Sequence, residues 1–294
     1  MKDTVTENVT SETDLTVTKD CETIRTAVRA ANVAITMKTR EPTRRMSKIV
    51  LHENERLDDL NYLGRQIIQR TDAFCFGMDA VLLAHFPKYG ARCRVLDLGT
   101  GTGVIPLLMA EEADTVEALE LDAEMAERAA RSVEYNGLEE KIRVKQGDYR
   151  EIKELYPAES FDVVLANPPY FPVKSGLAAA VPEKAKARHE LTATLSDVIH
   201  AARYVLKYHG RFAMVHIPER LDEIFVALSA NQMAPKRVQL IEPREGKPAN
   251  LVLVEAMVGG QAGSIRWLPT LRVYDKEGKY TAEALKYYGK ESME

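Results

Sequence analysis

The stretch F-D-V-V-L-A-N-P-P-Y, from Phe161 to Tyr170, holds the residues whose types and spacing best suit chemistry. Phe161, Val163, Val164, Leu165 and Ala166 read as a strand buried on both faces of a sheet. Pro168 and Pro169 stop it, because neither can donate to a ladder. Asn167 and Tyr170 are left at the carboxyl end of the strand, the edge where open α/β sheets bind ligands. A carboxamide, a rigid carbonyl and an aromatic ring suit one task, holding the exocyclic amine of a planar substrate. Such an amine is a poor nucleophile, its lone pair delocalised into the ring. The Asn167 side-chain oxygen and the Pro168 carbonyl can each accept one of its N–H bonds, drawing the nitrogen toward tetrahedral geometry. Tyr170 can stack on the ring, a contact worth roughly 1–3 kcal/mol. A plain turn that ends a strand would use the same residues, so the rest of the chain must decide.

A second constellation lies upstream. C-R-V-L-D-L-G-T-G-T-G-V-I-P-L-L-M-A, Cys93 to Ala110, runs from a short apolar strand through Gly99, Gly101 and Gly103 into a helix carrying Ile105, Leu108 and Met109. Glycines allow the tight turn and let backbone amides approach a ligand. The dinucleotide fingerprint G-x-G-x-x-G/A fails, since its last position, counted from Gly99, falls on Val104. D-x-G-x-G-x-G instead resembles the first motif of class I S-adenosylmethionine-dependent methyltransferases. The next strand, Val116 to Leu121, ends in Glu120, about 20 residues beyond the loop, where a carboxylate can take both hydroxyls of a ribose. A third strand, Ile142 to Lys145, delivers Gly147, Asp148 and Tyr149 to the same edge. Asp148 can accept from the cofactor adenine's amino group or cap the next helix, and Tyr149 can cover the ring.

These residues need a scaffold, and the remaining pattern supplies one. Asp122 reads as the cap of a helix through Ala126, Ala129, Ala130 and Val133 that stops at Asn136-Gly137. Ile67 and Ile68 suggest a strand, and Val81, Leu82 and Phe86 a helix with Asp79 as N-cap, together forming a cap over residues 46–90; Phe76 can reach a ligand on the adjacent sheet. Downstream, Thr194 and Asp197 form a capping box for a helix over Val198, Ile199, Ala202, Val205 and Leu206, stopped by Gly210. Strands follow at Phe212 to Val215, Val238 to Ile241 and Leu251 to Val254, with a helix marked by Leu221, Ile224, Phe225 and Leu228.

Between the central strand and Arg188 runs a segment with Lys174, Lys184, Lys186 and Arg188. The loop E-P-R-E-G-K-P adds Arg244 and Lys247. All six can meet phosphates or form a solvated surface. His189 and Glu190 are not needed as bases, because a methylated amine can lose its proton to water. Residues 1–45, rich in Thr, Glu, Asp and Lys, read as a disordered extension, with a short helix near Ile24 to Ala34 or a start at Met46 as further readings. After residue 260, Trp267, Leu268, Leu271, Val273, Tyr274, Tyr287 and Tyr288 stand among Lys and Arg, suited to packing back on the domain or to RNA.

Composition narrows the class. A chain of 294 residues with net charge −4 and 45% hydrophobic residues can bury a sizeable core. It has no run of 18 apolar residues and no signal-peptide core, which points to the cytoplasm and away from a membrane. The three cysteines, Cys21, Cys75 and Cys93, lack metal-ligand spacing and read as reduced thiols, and no metal is expected.

From about Asn54 to Gly260 the chain resembles the class I methyltransferases that modify exocyclic amines, with D-L-G-T-G-T-G, A-L-E-L-D, G-D-Y and N-P-P-Y on consecutive strands. More narrowly, E-R-L-D-D-L, F-G-M-D-A-V-L-L and A-R-H-E resemble the bacterial tRNA(Val) adenine N6-methyltransferases. The resemblance implies a Rossmann-like α/β fold over residues 91–260, a seven-stranded, mostly parallel sheet with helices on both faces, and a tail over 261–294. It implies S-adenosylmethionine as cofactor, held by Phe76, Asp97, Gly99, Thr100, Gly101, Gly103, Glu120, Leu121, Asp148, Tyr149 and Asn167. Asn167, Pro168, Pro169 and Tyr170 would be the catalytic set and tRNA the partner, with the oligomeric state open. Methylation of a release-factor glutamine, or of DNA or rRNA amino groups, is the alternative, and a non-catalytic RNA-binding protein a third reading.

Overall fold

The computed structural model describes residues 49–72, 76–88, 90, 92–170 and 194–288. The expectations placed on residues 1–45, Cys75, Lys174, Lys184, Lys186, Arg188, His189 and Glu190 lie outside them.

Strands β1 (Glu55–Asp59) and β2 (Gln66–Arg70) form an antiparallel pair with Leu57 opposite Ile68. The outer edge of β2 is closed by side chains of helix α3 (Ala123–Tyr135) and its C-cap rather than by another strand. The Asn136 carboxamide accepts from the Gln66 N–H at 3.0 Å and donates to the Gln66 carbonyl at 2.6 Å, mimicking a peptide group. Ser132 Oγ accepts the Ile68 N–H at 3.0 Å, so the edge keeps its donors satisfied. An ion cluster clamps the same surfaces. The Glu55 side chain, 2% exposed, meets Arg128 at 3.0 Å and Arg131 at 2.7 Å.

Helix α1 (Met78–His85) follows, with Ala80 to Ala84 buried. Its N-cap is Gly77, whose extended backbone starts the helix, and not Asp79 as expected; Asp79 is the second helical residue and its carboxylate meets the Asn167 side chain.

The main sheet alternates strand and helix: β3 (Arg94–Leu98), α2 (Val104–Met109), β4 (Thr115–Glu120), α3, β5 (Ile142–Gln146), α4 (Ile152–Leu155), β6 (Phe161–Ala166), α5 (Leu195–Val205) and β7 (Leu206–His216). Helix α6 (Leu221–Ala230), β8 (Met233–Glu242) and β9 (Leu251–Val258) complete it. The order is β5-β4-β3-β6-β7-β9-β8, parallel except for β9. The expected seven-stranded sheet is present, and two-residue strands β10 (Arg266–Trp267) and β11 (Leu271–Arg272) extend it by pairing parallel to β8. The tail after residue 260 therefore packs on the domain, closing with helix α7 (Ala282–Lys286); Tyr274, Tyr280, Tyr287 and Tyr288 lie against the core.

Two cores result. Val163 and Leu165 of β6 face one, with α1 and α2; Val164 and Ala166 face the other, with α5 and α6. From Val163 to Ala166 that alternation on a doubly covered strand explains the continuous apolar run. The capping box at Thr194 and Asp197 forms as expected, but Gly210 does not stop α5. The helix ends at Val205 and the chain enters β7 at once, with a register shift opposite Phe161 and Val163. Gly210 lies in this irregularity, where a Cβ would stand 2.8 Å from the Lys207 carbonyl oxygen.

The Arg131 guanidinium, more than the burial that opposes it, holds the Glu55 carboxyl down at about 2 from an ordinary 4.5. A depressed carboxyl contributes stability present above its unfolded value and lost as pH falls through its folded one. Glu55→Gln should therefore destabilise the protein by about 3 kcal/mol near neutral pH. By denaturant titration, the gap to wild type should close as pH drops from 4.5 toward 2.

Candidate active site

Because β3, β4, β5, β6 and β7 are parallel, their carboxyl ends share one edge. The glycine turn after β3, Glu120 at the end of β4, Asp148 after β5, Asn167 after β6 and His216 at the end of β7 all stand there. β9 runs antiparallel, so the 243–250 loop that precedes it, with exposed Arg244 and Lys247, opens on the same edge.

The glycine loop is tied across the end of β4. Gly99 and Thr100 donate to the Leu119 carbonyl at 2.9 and 3.0 Å, and Gly101 donates to Glu120 Oε2 at 2.8 Å. Gly99 and Gly101 hold φ of +74° and +59°, and a Cβ on either would meet nothing within 4 Å, so each fronts open space. Gly103 differs: its Cβ would stand 3.2 Å from that of Ala129, so this glycine serves the packing of α2 on α3. The second Glu120 oxygen accepts from the Asp122 N–H at 2.9 Å. Burial pushes the Glu120 carboxyl above its ordinary value, while those amides pull it back. Leu121, 45% exposed, presents apolar surface beside it.

Asp97 is 1% exposed, and neither of its oxygens has a hydrogen-bond partner among the described residues. Burial pushes its carboxyl up to about 7; Thr100 opposes the shift without a hydrogen bond of normal geometry, and the Glu120 charge adds to it. A buried carboxylate without a partner at the mouth of a glycine turn suits a cationic ligand. A cradle of open glycines, a fixed carboxylate about 20 residues beyond the glycine loop, and a buried carboxyl that a cation would ionise together fit S-adenosylmethionine, which carries a ribose and positive charge. Phe76 is half-buried against the first core and Tyr149 against the second, with burial pushing the Tyr149 hydroxyl up to about 12. Asp148 caps the turn that follows by accepting from Arg150 N–H at 2.8 Å. Its carboxylate also takes the Arg150 guanidinium, which holds it below the usual carboxylate range.

At the end of β6, Asn167 is half-buried, Pro168 half-buried and Pro169 exposed. The Asn167 Nδ2 donates to Asp79 Oδ2 at 3.1 Å, and the Tyr170 hydroxyl stands 2.7 Å from the same oxygen and 3.0 Å from Asn167 Oδ1. Burial, reinforced by Asp79, raises the Tyr170 hydroxyl far above its ordinary value, so it remains a donor. Its ring lies 5.3 Å from that of His216. His216 is buried, accepts the Ile217 N–H at 2.8 Å through Nδ1, and is driven down to about 4, chiefly by burial, so it is neutral. Sequence reading missed His216 and the site role of Asp79. The place of His216 at a strand's carboxyl end was the signal available for it.

Among the described residues no group of three His, Cys, Asp or Glu side chains is placed to hold a metal, and no helix is long and apolar enough to cross a membrane. A methyltransferase-domain family model matches residues 90–262. The tRNA1(Val) (adenine(37)-N6)-methyltransferase of Photorhabdus laumondii is 29% identical over 70% of this chain and 84% of its own length. Its counterpart in Tolumonas auensis is 30% identical over 60% of this chain and 74% of its own. The crystal structure of a predicted O-methyltransferase from Agrobacterium tumefaciens superposes with a TM-score of 0.58 at 26% identity, covering 72% of this chain and 95% of that one. The glycine cradle, the strand-end carboxylates and these likenesses converge: the chain belongs to the methyltransferase-domain family, with the class I fold that uses S-adenosylmethionine.

Proposed function

We propose that the protein methylates the exocyclic N6 of an adenine in tRNA, beside the anticodon of a valine tRNA. The observation that carries this reading is the carboxamide of Asn167, held at the end of β6 on the same edge as the glycine cradle. The names of the relatives supply the acceptor. An adenine unstacked from an RNA loop enters the pocket at a cost of a few kcal/mol, least for a base already single-stranded. Asn167 Oδ1 and the Pro168 carbonyl accept its N–H bonds and aim the lone pair; Tyr170 borders the ring. Bound S-adenosylmethionine supplies an electrophilic sulfonium methyl. Glu120 holds the cofactor ribose, Asp97 its positive charge, and Leu121 and Tyr149 the base. Positioning and acceptor hydrogen bonds to the developing positive charge carry the rate. Arg244 and Lys247, with Lys174, Lys184, Lys186 and Arg188, meet phosphates. A glutamine side-chain amide presents a similar planar NH2 with a delocalised lone pair, so a protein glutamine, or an amino group of DNA, is what the chemistry allows if RNA fails.

The decisive experiment incubates protein and labelled S-adenosylmethionine with total tRNA from cells lacking the enzyme, followed by nucleoside mass spectrometry. N6-methyladenosine in one tRNA is expected. Cofactor binding with no label in RNA would move the acceptor to glutamine or DNA. Asn167→Ala should lower turnover at least about 100-fold while cofactor affinity stays within twofold, the scale for removing one catalytic hydrogen bond.

Two predictions concern the cofactor. Glu120→Ala should weaken binding about tenfold, measured by calorimetry, the effect of losing hydrogen bonds to a charged group. Asp97 has a raised carboxyl, so in the free protein its contribution to stability is full at low pH and lost as pH rises through about 7. A bound cation favours the ionised form. Cofactor affinity should therefore rise with pH by up to about tenfold per unit below pH 7 and level off above it. Asp97→Asn should flatten that profile; an equally steep profile in the variant would take Asp97 out of the site.

A further inference from the structure

Asp79 comes from the cap segment, outside the residues that the family model matches, yet its carboxylate lies within hydrogen-bond reach of both side chains at the end of β6. We propose that Asp79 is a positioning residue, which fixes the orientation of the Asn167 carboxamide so that its oxygen, not its NH2, faces the acceptor amine. The inference rests on the amine-acceptor reading above.

A carboxamide is nearly symmetric in shape and opposite in hydrogen-bonding sense at its two ends. Rotated by 180°, Asn167 would point two N–H donors at the N–H donors of an amine, and the site would repel its substrate. A carboxylate is acceptor-only, so the group in contact with Asp79 Oδ2 has to be the Nδ2 that sits there at 3.1 Å. The chain spends several local features on keeping that carboxylate in place. Its other oxygen accepts the Ala80 N–H at 2.9 Å, locking the side chain to the first turn of α1. The positive end of the helix favours a carboxylate in that turn. Gly77 leaves the necessary room, since a Cβ there would stand 2.6 Å from Asp79 Oδ1.

Tyr170 completes the argument. Its hydroxyl has one proton and two acceptors in reach, Asp79 Oδ2 at 2.7 Å and Asn167 Oδ1 at 3.0 Å. A charged acceptor at the shorter distance wins the proton. By drawing it away, Asp79 leaves the Asn167 oxygen to accept from the substrate. One carboxylate thus orients the carboxamide and frees its oxygen.

The test uses the full chain with labelled S-adenosylmethionine and total tRNA. Asp79→Asn, which keeps the shape and loses the preference for NH2, should lower kcat about 100-fold, the scale of a misplaced catalytic group, with the fold kept at a melting temperature a few degrees lower and cofactor affinity unchanged. Asn167→Asp sets two carboxylates against each other and should lose as much. The double variant Asp79→Asn with Asn167→Asp restores a donor facing an acceptor, with a spare acceptor toward the amine, and should recover at least tenfold over either parent. A merely structural role for Asp79 would give no such recovery. Asp79→Asn within threefold of wild type, or a double variant no better than its parents, overturns the inference.

A substrate-free measurement separates this from the acceptor assignment. The Asn167 side-chain amide, identified in the NMR spectrum by its absence in Asn167→Ala, should be hydrogen-bonded and rotationally fixed, and should lose both properties in Asp79→Asn. If it does so while RNA takes up no label, the acceptor is wrong and the positioning stands. If it is unchanged by Asp79→Asn, the positioning is wrong whatever the acceptor.

Discussion

A parallel sheet covered on both faces has only its strand ends left for chemistry. Here that constraint decides where every functional group lies. β6 has Val163 and Leu165 in one core and Val164 and Ala166 in the other, so none of its last four side chains is available until the strand stops. Two prolines stop it, and the first residue beyond burial is Asn167. β3 likewise runs straight into a glycine turn, and β4 ends in Glu120, itself 8% exposed, with Leu121 the first exposed residue beyond it. The glycine amides bond to the end of β4 through Leu119 and Glu120, so the cofactor cradle is a rigid extension of the ladder.

The second determinant is how buried charge is used. Glu255 of β9 is fully buried but completely paired: Arg211 at 2.6 Å, Arg237 at 3.0 Å and the Lys88 N–H at 3.1 Å. Glu55 is treated likewise by Arg128 and Arg131. Both act as clamps, because removing one partner of such a group leaves an uncompensated charge. Asp97 is buried to the same degree, and neither of its oxygens has a partner among the described residues. Within one fold, paired carboxylates hold surfaces together and the carboxylate without a partner stands at the glycine turn. Perturbed groups gather at functional sites for this reason.

Much of the fold was legible because its signals are local. The glycine turn, the carboxylate ending the next strand, the Asn136-Gly137 stop, the Thr194 and Asp197 capping box and the double proline each depend on residues within a few positions of one another. What escaped depends on distant chain. Asp79 satisfies the sequence rule for an N-cap, but Gly77 starts the helix and the carboxylate is engaged by residues 88 and 91 positions away. Gly210 looks like a helix stop because nothing near it announces the register shift that β7 makes against β6. The Asn136 carboxamide that completes the edge of β2 is 70 residues from its partner, and the parallel pairing of β10 and β11 with β8 rests on two residues each. For the site this means that the groups on the sheet edge, His216 apart, could be read, and the group reaching them from the cap could not.

That group explains why a cap segment accompanies this sheet. A hydrogen-bonding partner for Asn167 must be placed to within a few tenths of an ångström, which a loop does poorly and a packed helix does well. Helix α1 is fixed along its length by five buried residues. At its far end, the Phe86 carbonyl accepts from Arg237 at 2.9 Å, with the guanidinium 4.5 Å over the Phe86 ring. Arg237 is in turn held by Glu255. The ion cluster in the second half of the sheet and the carboxylate at the site are thus the two ends of one helix. Loss of Glu255 would act on the site through α1, by loosening the element that carries Asp79. Stability and chemistry share that helix, and the charge that anchors it and the charge that it presents are both carboxylates whose oxygens have been given specific donors.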